Sequence, residues 1–221
     1  DHPLIYATFR TKKGHELDNF GPRIQMALRF TAEGSDLRND MQLLMSSYAT
    51  ERMNRGGPRG EPLGVRILAI LNLAMGVGEL ILTTADPTVQ PFLDYRYLED
   101  EFDRRRLREA VRLCVKLGQF EGFSDIIEEC IEPTQAELAT DETLDEFLMR
   151  EVSTAQHISC TCKMGVATDP MAVVDQYGRV HGLEGLRVAD ASIMPNCVRA
   201  NTNVTTMVIG ERISDFIRQR E

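Results

Sequence analysis

The chain has 221 residues, of which 43% are hydrophobic, and a formal net charge of -9 from 34 acidic and 25 basic residues. This length and apolar content suffice for one large domain or two unequal domains with an ordinary hydrophobic core. The basic residues are spread along the chain and form no dense tract, so nucleic acid is not an expected partner. The longest apolar run, residues 65–75, is short and contains Arg66 and Asn72, so we expect no membrane span.

The cysteines bear on location and on metal binding. There are five of them, without the spacing of a disulfide framework, which favours a reducing compartment and hence a cytoplasmic protein. Cys160 and Cys162 are separated by one residue, and no second Cys or His pair lies at zinc-finger spacing, so we expect no metal site. The chain opens on Asp-His-Pro without a charged and apolar leader, which indicates that it has been cut.

The first part of the chain alternates strand signals with breaks. Residues 4–10 alternate as a strand does, residues 23–32 favour a short helix, and residues 40–49 show an imperfect strand pattern. Residues 53–64 contain four glycines and two prolines, which predicts a mobile loop. Strand-like runs follow between 65 and 98 without helical periodicity, and their succession predicts an antiparallel or mixed sheet.

Two amphipathic helices are predicted next. Apolar residues at helical spacing between 102 and 117 indicate a helix that ends at Gly118, with Arg104 to Arg106 on a solvated face. A second helix fits residues 141–153, because Thr140 can cap it and acidic residues occupy its first turn.

The final segments have a different character. HISCTCKMG, residues 157–165, carries Gly and Cys, and residues 172–195 predict a strand, a turn at 176–178, a second strand and a buried strand LRVAD. Residues 201–220 carry apolar side chains on one helical face. A buried strand, a loop and a helix in this order indicate part of an α/β layer.

These three segments together resemble the C-terminal signature of the glucose-methanol-choline (GMC) flavoprotein oxidoreductases. The specific stretches are HISCTCKMG, then AVVDQYGRVHGLEGLRVADASIMP, then NTNVTTMVIGERISDFI. Residues 76–112 are similar to a sheet-and-helix segment of the same family, and the opening Asp-His-Pro is similar to the end of a preceding conserved stretch. The resemblance covers the whole chain with gaps.

The resemblance implies the C-terminal half of a flavin-dependent alcohol oxidoreductase. Residues 1–157 would be the substrate-binding domain and residues 158–221 the C-terminal portion of the FAD-binding domain. The implied fold is α+β, a mainly antiparallel sheet covered by helices, with a partial α/β layer of the FAD domain. The implied partners are FAD, a small-molecule alcohol and an electron acceptor that the sequence does not identify.

The chain lacks the dinucleotide fingerprint that the family carries in its N-terminal FAD-binding segment. No G-x-G-x-x-G occurs in it, and Gly76-Val77-Gly78 is not followed by the third glycine. The N-terminal segment is therefore a missing partner, and we expect this chain alone not to retain FAD.

The resemblance also implies a catalytic pair, with His157 as the base and Asn201 as its partner. An imidazole near its pKa can take the hydroxyl proton while hydride leaves the alcohol carbon, and an amide can donate to the same oxygen and orient it. The family usually has Pro and Gly where this chain has Ile158 and Cys160. We therefore expect the loop after His157 to follow a different path.

Four further residues match flavin contacts of the family. Asp190 and Ala191 match the motif that meets the flavin's phosphate and ribityl chain, and Thr202 and Asn203 match positions beside its pyrimidine ring. A helix beginning there would direct free N–H groups at the N1 side of the flavin and favour the reduced form. From the residues alone, asparagines before an apolar periodic run are also ordinary helix caps.

Alternatives remain open from the sequence. Hydroxynitrile lyases share the scaffold and the histidine, and turnover of a cyanohydrin without an electron acceptor would separate the two activities. A third hypothesis is that this polypeptide alone is a non-catalytic, isolated substrate domain that does not hold FAD. Without the resemblance His157 is a structural hydrogen-bonding residue, and His2, His15 and His181 are expected in loops or on the surface. The sequence separates neither an oxidase from a dehydrogenase nor one alcohol from another.

Overall fold

The computed structural model of the chain describes residues 1–15, 22–50 and 62–219. Its strands are β1 (Pro3–Thr11), β2 (Ile24–Phe30), β3 (Met41–Thr50), β4 (Pro62–Leu71), β5 (Glu79–Ile81), β6 (Phe92–Asp94), β7 (Ile127–Glu132) and β8 (Ser153–Thr154). Its α-helices are α1 (Glu101–Gly118), α2 (Asp141–Glu151) and α3 (Asn203–Gln219), with short 3₁₀ helices at Glu121–Phe123 and Ala191–Ile193. These residues form two compact units, a larger unit of 3–78 and 96–155 and a smaller unit of 1–2, 79–95 and 156–221.

The larger unit is built on an antiparallel sheet with the strand order β2-β3-β4-β1-β7, and β8 pairs with the start of β1. In the centre, Ile5 lies opposite Ala69 and Phe9 opposite Val65, so apolar residues of neighbouring strands share one face. Because side chains alternate across a strand, this register places a continuous apolar surface on one side of the sheet.

Helices α1 and α2 cover that apolar face. Ile5, Phe9 and Met41 of the sheet belong to the same buried cluster as Leu107 of α1 and Phe147 of α2. The opposite face has a smaller buried cluster of Leu4, Leu44, Leu68 and Ile70. The helices begin at side-chain caps, because Asp100 accepts from the first turn of α1 and Thr140 forms a capping box in α2. The α+β fold predicted from the sequence is confirmed.

One arginine of α1 differs from the prediction of a solvated face at Arg104 to Arg106. Arg105 is exposed, but Arg106 is fully buried, 3.0 Å from Asp40 and 2.6 Å from Asp103. A guanidinium can be buried here because two carboxylates offset its desolvation. Sequence spacing alone did not show that Asp40, from another part of the chain, would meet α1.

Two other segments of the larger unit also differ from the predictions. Residues 24–30, predicted as part of a helix over 23–32, form β2 and pair with β3. Strand pairing outweighs the helix propensity of Met26, Ala27 and Leu28. Of the loop predicted at 53–64, residues 53–61 lie outside the described residues and residues 62–64 begin β4.

The smaller unit contains the β5–β6 hairpin, α3 and the irregular segment between residues 156 and 202. The turn predicted at 176–178 is confirmed: Gly178 has φ 71° and its N–H donates to Asp175 O at 3.0 Å. The strands predicted on either side of it are wrong, because only isolated bridges such as Val174 with Val180 form there. The backbone N–H groups of this segment bond instead to the Asp175 side chain and to nearby carbonyls, so their hydrogen-bonding needs are met without a continuous ladder between strands.

Helix α3 buries little of its apolar surface within this chain. Its one buried residue is Ile213, whereas four apolar side chains are more than half exposed, namely Val204, Met207, Val208 and Ile217. Within the described ranges, no helix is both long and apolar enough to cross a membrane.

Candidate active site

His157 lies just after β8, in the smaller unit, with its backbone held by the first residue of the chain. Its N–H donates to Asp1 Oδ1 at 2.9 Å, and the same oxygen accepts from His2 N at 2.6 Å. The ring is half-buried, and this partial burial lowers the pKa of His157 below its ordinary value because it disfavours the imidazolium. The ring is therefore neutral, and able to accept a proton, over a wider range of pH.

Both ring nitrogens of His157 meet side chains that directly precede α3. Nε2 is 3.0 Å from Asn201 Nδ2, and Nδ1 is 3.1 Å from Thr202 Oγ1. Asn201 is exposed and Thr202 is buried. Thr202 also begins the helix, since its carbonyl accepts from Thr206 N at 2.9 Å. The start of α3 thus fixes both partners of the imidazole.

His2 is a second histidine at this site, and the prediction that it lies in a loop or on the surface is wrong. Its side chain is fully buried, and its ring packs edge-on against that of His157 with centroids 5.5 Å apart. Its Nε2 is 3.2 Å from the carbonyl of Ala200. Burial lowers the pKa of His2 to about 4, so the ring is neutral near pH 7. By contrast, His15 is exposed, as predicted, and His181 is half-buried.

The loop after His157 runs beside the 3₁₀ helix at 191–193. Cys160 N donates to Ala191 O at 3.3 Å, and Cys162 N donates to Ser192 O at 2.9 Å. Cys160 has φ 71°, a left-handed conformation that favours glycine. The residue that replaces the family's usual glycine therefore still has a backbone conformation typical of glycine.

The four predicted flavin-contact residues occupy two separate parts of this unit. Asp190 is exposed and caps the 3₁₀ helix, because its Oδ1 accepts from Ser192 N at 2.8 Å. Ala191 follows it. Asn203 is exposed and is the first residue of α3, next to Thr202. The structure brings only Thr202 into direct contact with His157.

The start of α3 presents backbone hydrogen-bond donors that a ligand could accept from. The first turn of a helix leaves backbone N–H groups without partners inside the helix, and these carry a partial positive charge. Polar groups of His157 and Asn201 lie beside this turn.

No cluster of three or more metal-binding side chains occurs among residues 1–15, 22–50 and 62–219.

A family model described as GMC oxidoreductase matches residues 75–210, which include His157, Asp190, Asn201 and Asn203. The chain belongs to the GMC oxidoreductase family. The family resemblance inferred from the sequence is thereby confirmed. The site described above lies in the C-terminal part of the matched GMC region, except for Asp1 and His2.

Proteins named oxygen-dependent choline dehydrogenase are close in sequence to this GMC chain. The one from Paraburkholderia xenovorans (strain LB400) is 43% identical over 144 residues, which are 65% of this chain and 25% of that protein. The one from Serratia proteamaculans (strain 568) is 44% identical over 143 residues, with coverage of 65% and 25%. The alignments thus span about a quarter of the length of these curated relatives.

Solved structures show the same fold at lower identity. A formate oxidase aligns with a TM-score of 0.85 and 21% identity, covering 100% of this chain and 46% of the other. Pyridoxine 4-oxidase from Mesorbium loti aligns with a TM-score of 0.82 and 21% identity, covering 99% and 42%. These likenesses show that the chain shares its fold with part of each of these two oxidases.

The sequence missed the contribution of Asp1 and His2. The opening Asp-His-Pro was noticed as similar to the family, but nothing in the local pattern assigned those two residues a role. His2 and Ala200 are 198 positions apart, and only the folded chain brings them together.

Proposed function

We propose that this chain supplies the catalytic base and substrate-binding residues of an FAD-dependent oxidoreductase that converts an alcohol to an aldehyde or ketone. His157 takes the hydroxyl proton, and Asn201 binds the same oxygen. The observation that carries the proposal is the contact between His157 Nε2 and Asn201 Nδ2, 3.0 Å apart at the start of α3. An unprotonated imidazole nitrogen beside an amide donor can accept a proton from a hydroxyl and orient its oxygen.

The relatives support an alcohol as the substrate. Choline, which the names of the sequence relatives contain, has a primary hydroxyl, and we propose an alcohol of this general class without choosing one. When bound, the flavin would accept the hydride from the alcohol carbon. His157 would hold the hydroxyl proton at Nε2, so that the departing hydride leaves a neutral carbonyl product.

Substrate binding requires a movement of Asn201. In the structure the two nitrogens are bonded to each other at 3.0 Å. An alcohol oxygen that hydrogen-bonds to both needs them roughly 4.5 Å apart, given ordinary hydrogen-bond lengths. The Asn201 amide must therefore turn aside, and one hydrogen bond is exchanged for two.

For the cofactor, we propose that the start of α3 meets the pyrimidine end of FAD through Thr202 and Asn203. Asp190 and Ala191 would meet the ribityl and phosphate part. Asp190 is suited to contact the cofactor because it is exposed. Its carboxylate also caps the 3₁₀ helix and so fixes the backbone at Ala191. Residues 158–221 would then be the C-terminal portion of the FAD-binding domain and residues 1–157 the substrate-binding domain. The cytoplasmic location stays a prediction.

The test is flavin reduction by alcohol in the complete protein that contains this chain, measured by rapid mixing. We expect His157→Ala to slow reduction by about 10²- to 10⁴-fold, the usual contribution of a general base, while FAD binding changes little. Asn201→Ala should slow it by about tenfold, and the double variant should lose less than the product of the two because both groups act on one oxygen.

The pH profile and an exposed histidine provide the controls. Wild type should lose activity on its acidic side, at a pH below the ordinary histidine value of about 6.5, because burial lowers the pKa of His157. His157→Ala should lack this limb, and His15→Ala should match wild type. If His157→Ala reduces its flavin within a few-fold of wild type and keeps the limb, His157 is not the base. Turnover of a cyanohydrin without an electron acceptor would instead favour a lyase.

A further inference from the structure

Thr202 is held rigidly beside the imidazole of His157. Its side chain is 8% exposed, and its β-branched shape restricts the rotation of the hydroxyl-bearing carbon. Its carbonyl accepts from both Thr206 N and Thr206 Oγ1, each at 2.9 Å, which fixes the backbone at the start of α3. The hydroxyl oxygen is consequently held in place, 3.1 Å from His157 Nδ1.

The contact with Asn201 determines where the proton of the neutral ring lies. An amide nitrogen only donates, so Nε2 at 3.0 Å from Asn201 Nδ2 has to be the acceptor. A neutral imidazole has one N–H, which is then on Nδ1. With the proton on Nε2 instead, two donors would face each other at that distance.

Thr202 provides the acceptor that this arrangement needs. A hydroxyl oxygen has lone pairs, and Thr202 Oγ1 can receive the Nδ1 proton in the neutral ring as well as in the imidazolium. His2 lies against the same ring but directs its Nε2 to the carbonyl of Ala200 at 3.2 Å. Thr202 thus contacts a ring nitrogen of His157, whereas His2 contacts the backbone carbonyl of Ala200.

We propose that Thr202 is a positioning residue that keeps His157 in the tautomer with the proton on Nδ1 and the lone pair on Nε2. This assignment rests on the proposed function, in which Nε2 is the atom that accepts the alcohol proton. It gives the Thr202 side chain a role toward the base, in addition to the proposed place of its backbone beside the flavin.

The test uses the complete protein with selectively ¹⁵N-labelled histidine. Long-range ¹H–¹⁵N spectra distinguish protonated from bare ring nitrogens, and His157→Ala identifies the His157 signals. Wild type should show Nδ1 protonated at neutral pH. Thr202→Val, which keeps the shape and removes the hydroxyl, should show a mixture of tautomers, and Thr202→Ser should restore the wild-type pattern.

The rate of flavin reduction should follow the tautomer. We expect Thr202→Val to lower the rate by about tenfold with little change in KM, as for the loss of one hydrogen bond that matters in the transition state. Thr202→Ser should recover to within about threefold of wild type, since the acceptor returns. Ser214→Ala removes an exposed hydroxyl further along α3, away from the site, and should keep both the wild-type spectrum and rate.

The proposal is overturned if wild type has its proton on Nε2, if Thr202→Val keeps the wild-type spectrum, or if Thr202→Ser behaves as Thr202→Val does. It is also overturned if Thr202→Val keeps the wild-type rate while His157→Ala is slow. The spectra are recorded without substrate, so they do not depend on the reaction. If His157→Ala reduces its flavin normally while the spectra behave as expected, the proposed function fails and the tautomer assignment remains.

Discussion

At the scale of single residues, the fully buried ring of His2 links the site to the stability of the chain. Its pKa falls from the ordinary 6.5 to about 4, chiefly because burial disfavours the charged ring. Between these values the unfolded chain binds a proton that the folded chain does not. Stability is therefore lost as the pH falls from 6.5 toward 4, by roughly 2 to 3 kcal/mol from this residue.

The measurement compares urea unfolding at pH 7 and pH 4.5 for wild type and for His2→Gln. We expect the variant to be less stable at pH 7 but to lose less on acidification, because glutamine does not titrate. His15→Gln, a change at an exposed histidine, should retain the wild-type dependence on pH. Equal losses in wild type and His2→Gln would show that His2 is not the group concerned.

How far the site could be predicted differs from residue to residue. His157 and Asn201 stand in motifs that resemble a family, so their pairing was predicted, and the structure places them in contact. The contact of Thr202 with the ring and the burial of His2 could not be predicted. They depend on hydrogen bonds that span 45 and 198 positions, and no local pattern of polarity encodes such distances.

At the scale of elements, two helical glycines allow opposite predictions. A methyl group on Gly118, the last residue of α1, would overlap the buried ring of Phe9, whereas one on Gly210 in α3 would meet no atom within 4 Å. We expect Gly118→Ala to lower the free energy of unfolding by about 1 to 3 kcal/mol through overpacking. Gly210→Ala should raise it by about 0.5 to 1 kcal/mol, because alanine favours the helix.

Chemical denaturation of the two variants beside wild type checks both signs. Gly122→Ala is a control outside the α-helices, because the added methyl would make only ordinary contacts with Phe120. If Gly118→Ala is as stable as wild type, then the Phe9 ring can shift without lowering the free energy of unfolding. The close approach of α1 to β1 is in that case not a constraint on the fold.

The elements differ in how well local signals specify them. Helix α1 was predicted from 3.6-residue periodicity and a final glycine, and α2 from periodicity and the cap at Thr140, and the structure confirms both helices. Strand β2 was mistaken for a helix although Ile24, Met26 and Leu28 alternate, since the propensities of Met26, Ala27 and Leu28 favour a helix and only the pairing with β3, the next strand along the chain, decides against it. β7, which joins β1 with two shifts of register, was missed altogether.

At the scale of the whole molecule, we expect the 221-residue chain by itself to bind little or no FAD. These residues contain no match to the dinucleotide fingerprint, and the contacts proposed for the start of α3 would involve only one end of a flavin. Absorbance in the flavin bands after incubation with FAD and gel filtration measures this directly. A stoichiometric yellow protein would contradict the expectation.

The exposed apolar stripe of α3 has a consequence for handling the chain in solution. Val204, Met207 and Val208 lie exposed on one side of the helix, and the β5–β6 hairpin has exposed apolar side chains of its own at Leu82 and Phe92. Apolar patches of this kind promote self-association, which the net charge of -9 opposes by repulsion. Salt screens that repulsion but leaves the apolar attraction in place. The chain is thus an amphiphile whose colloidal stability is greatest in dilute, low-salt buffer.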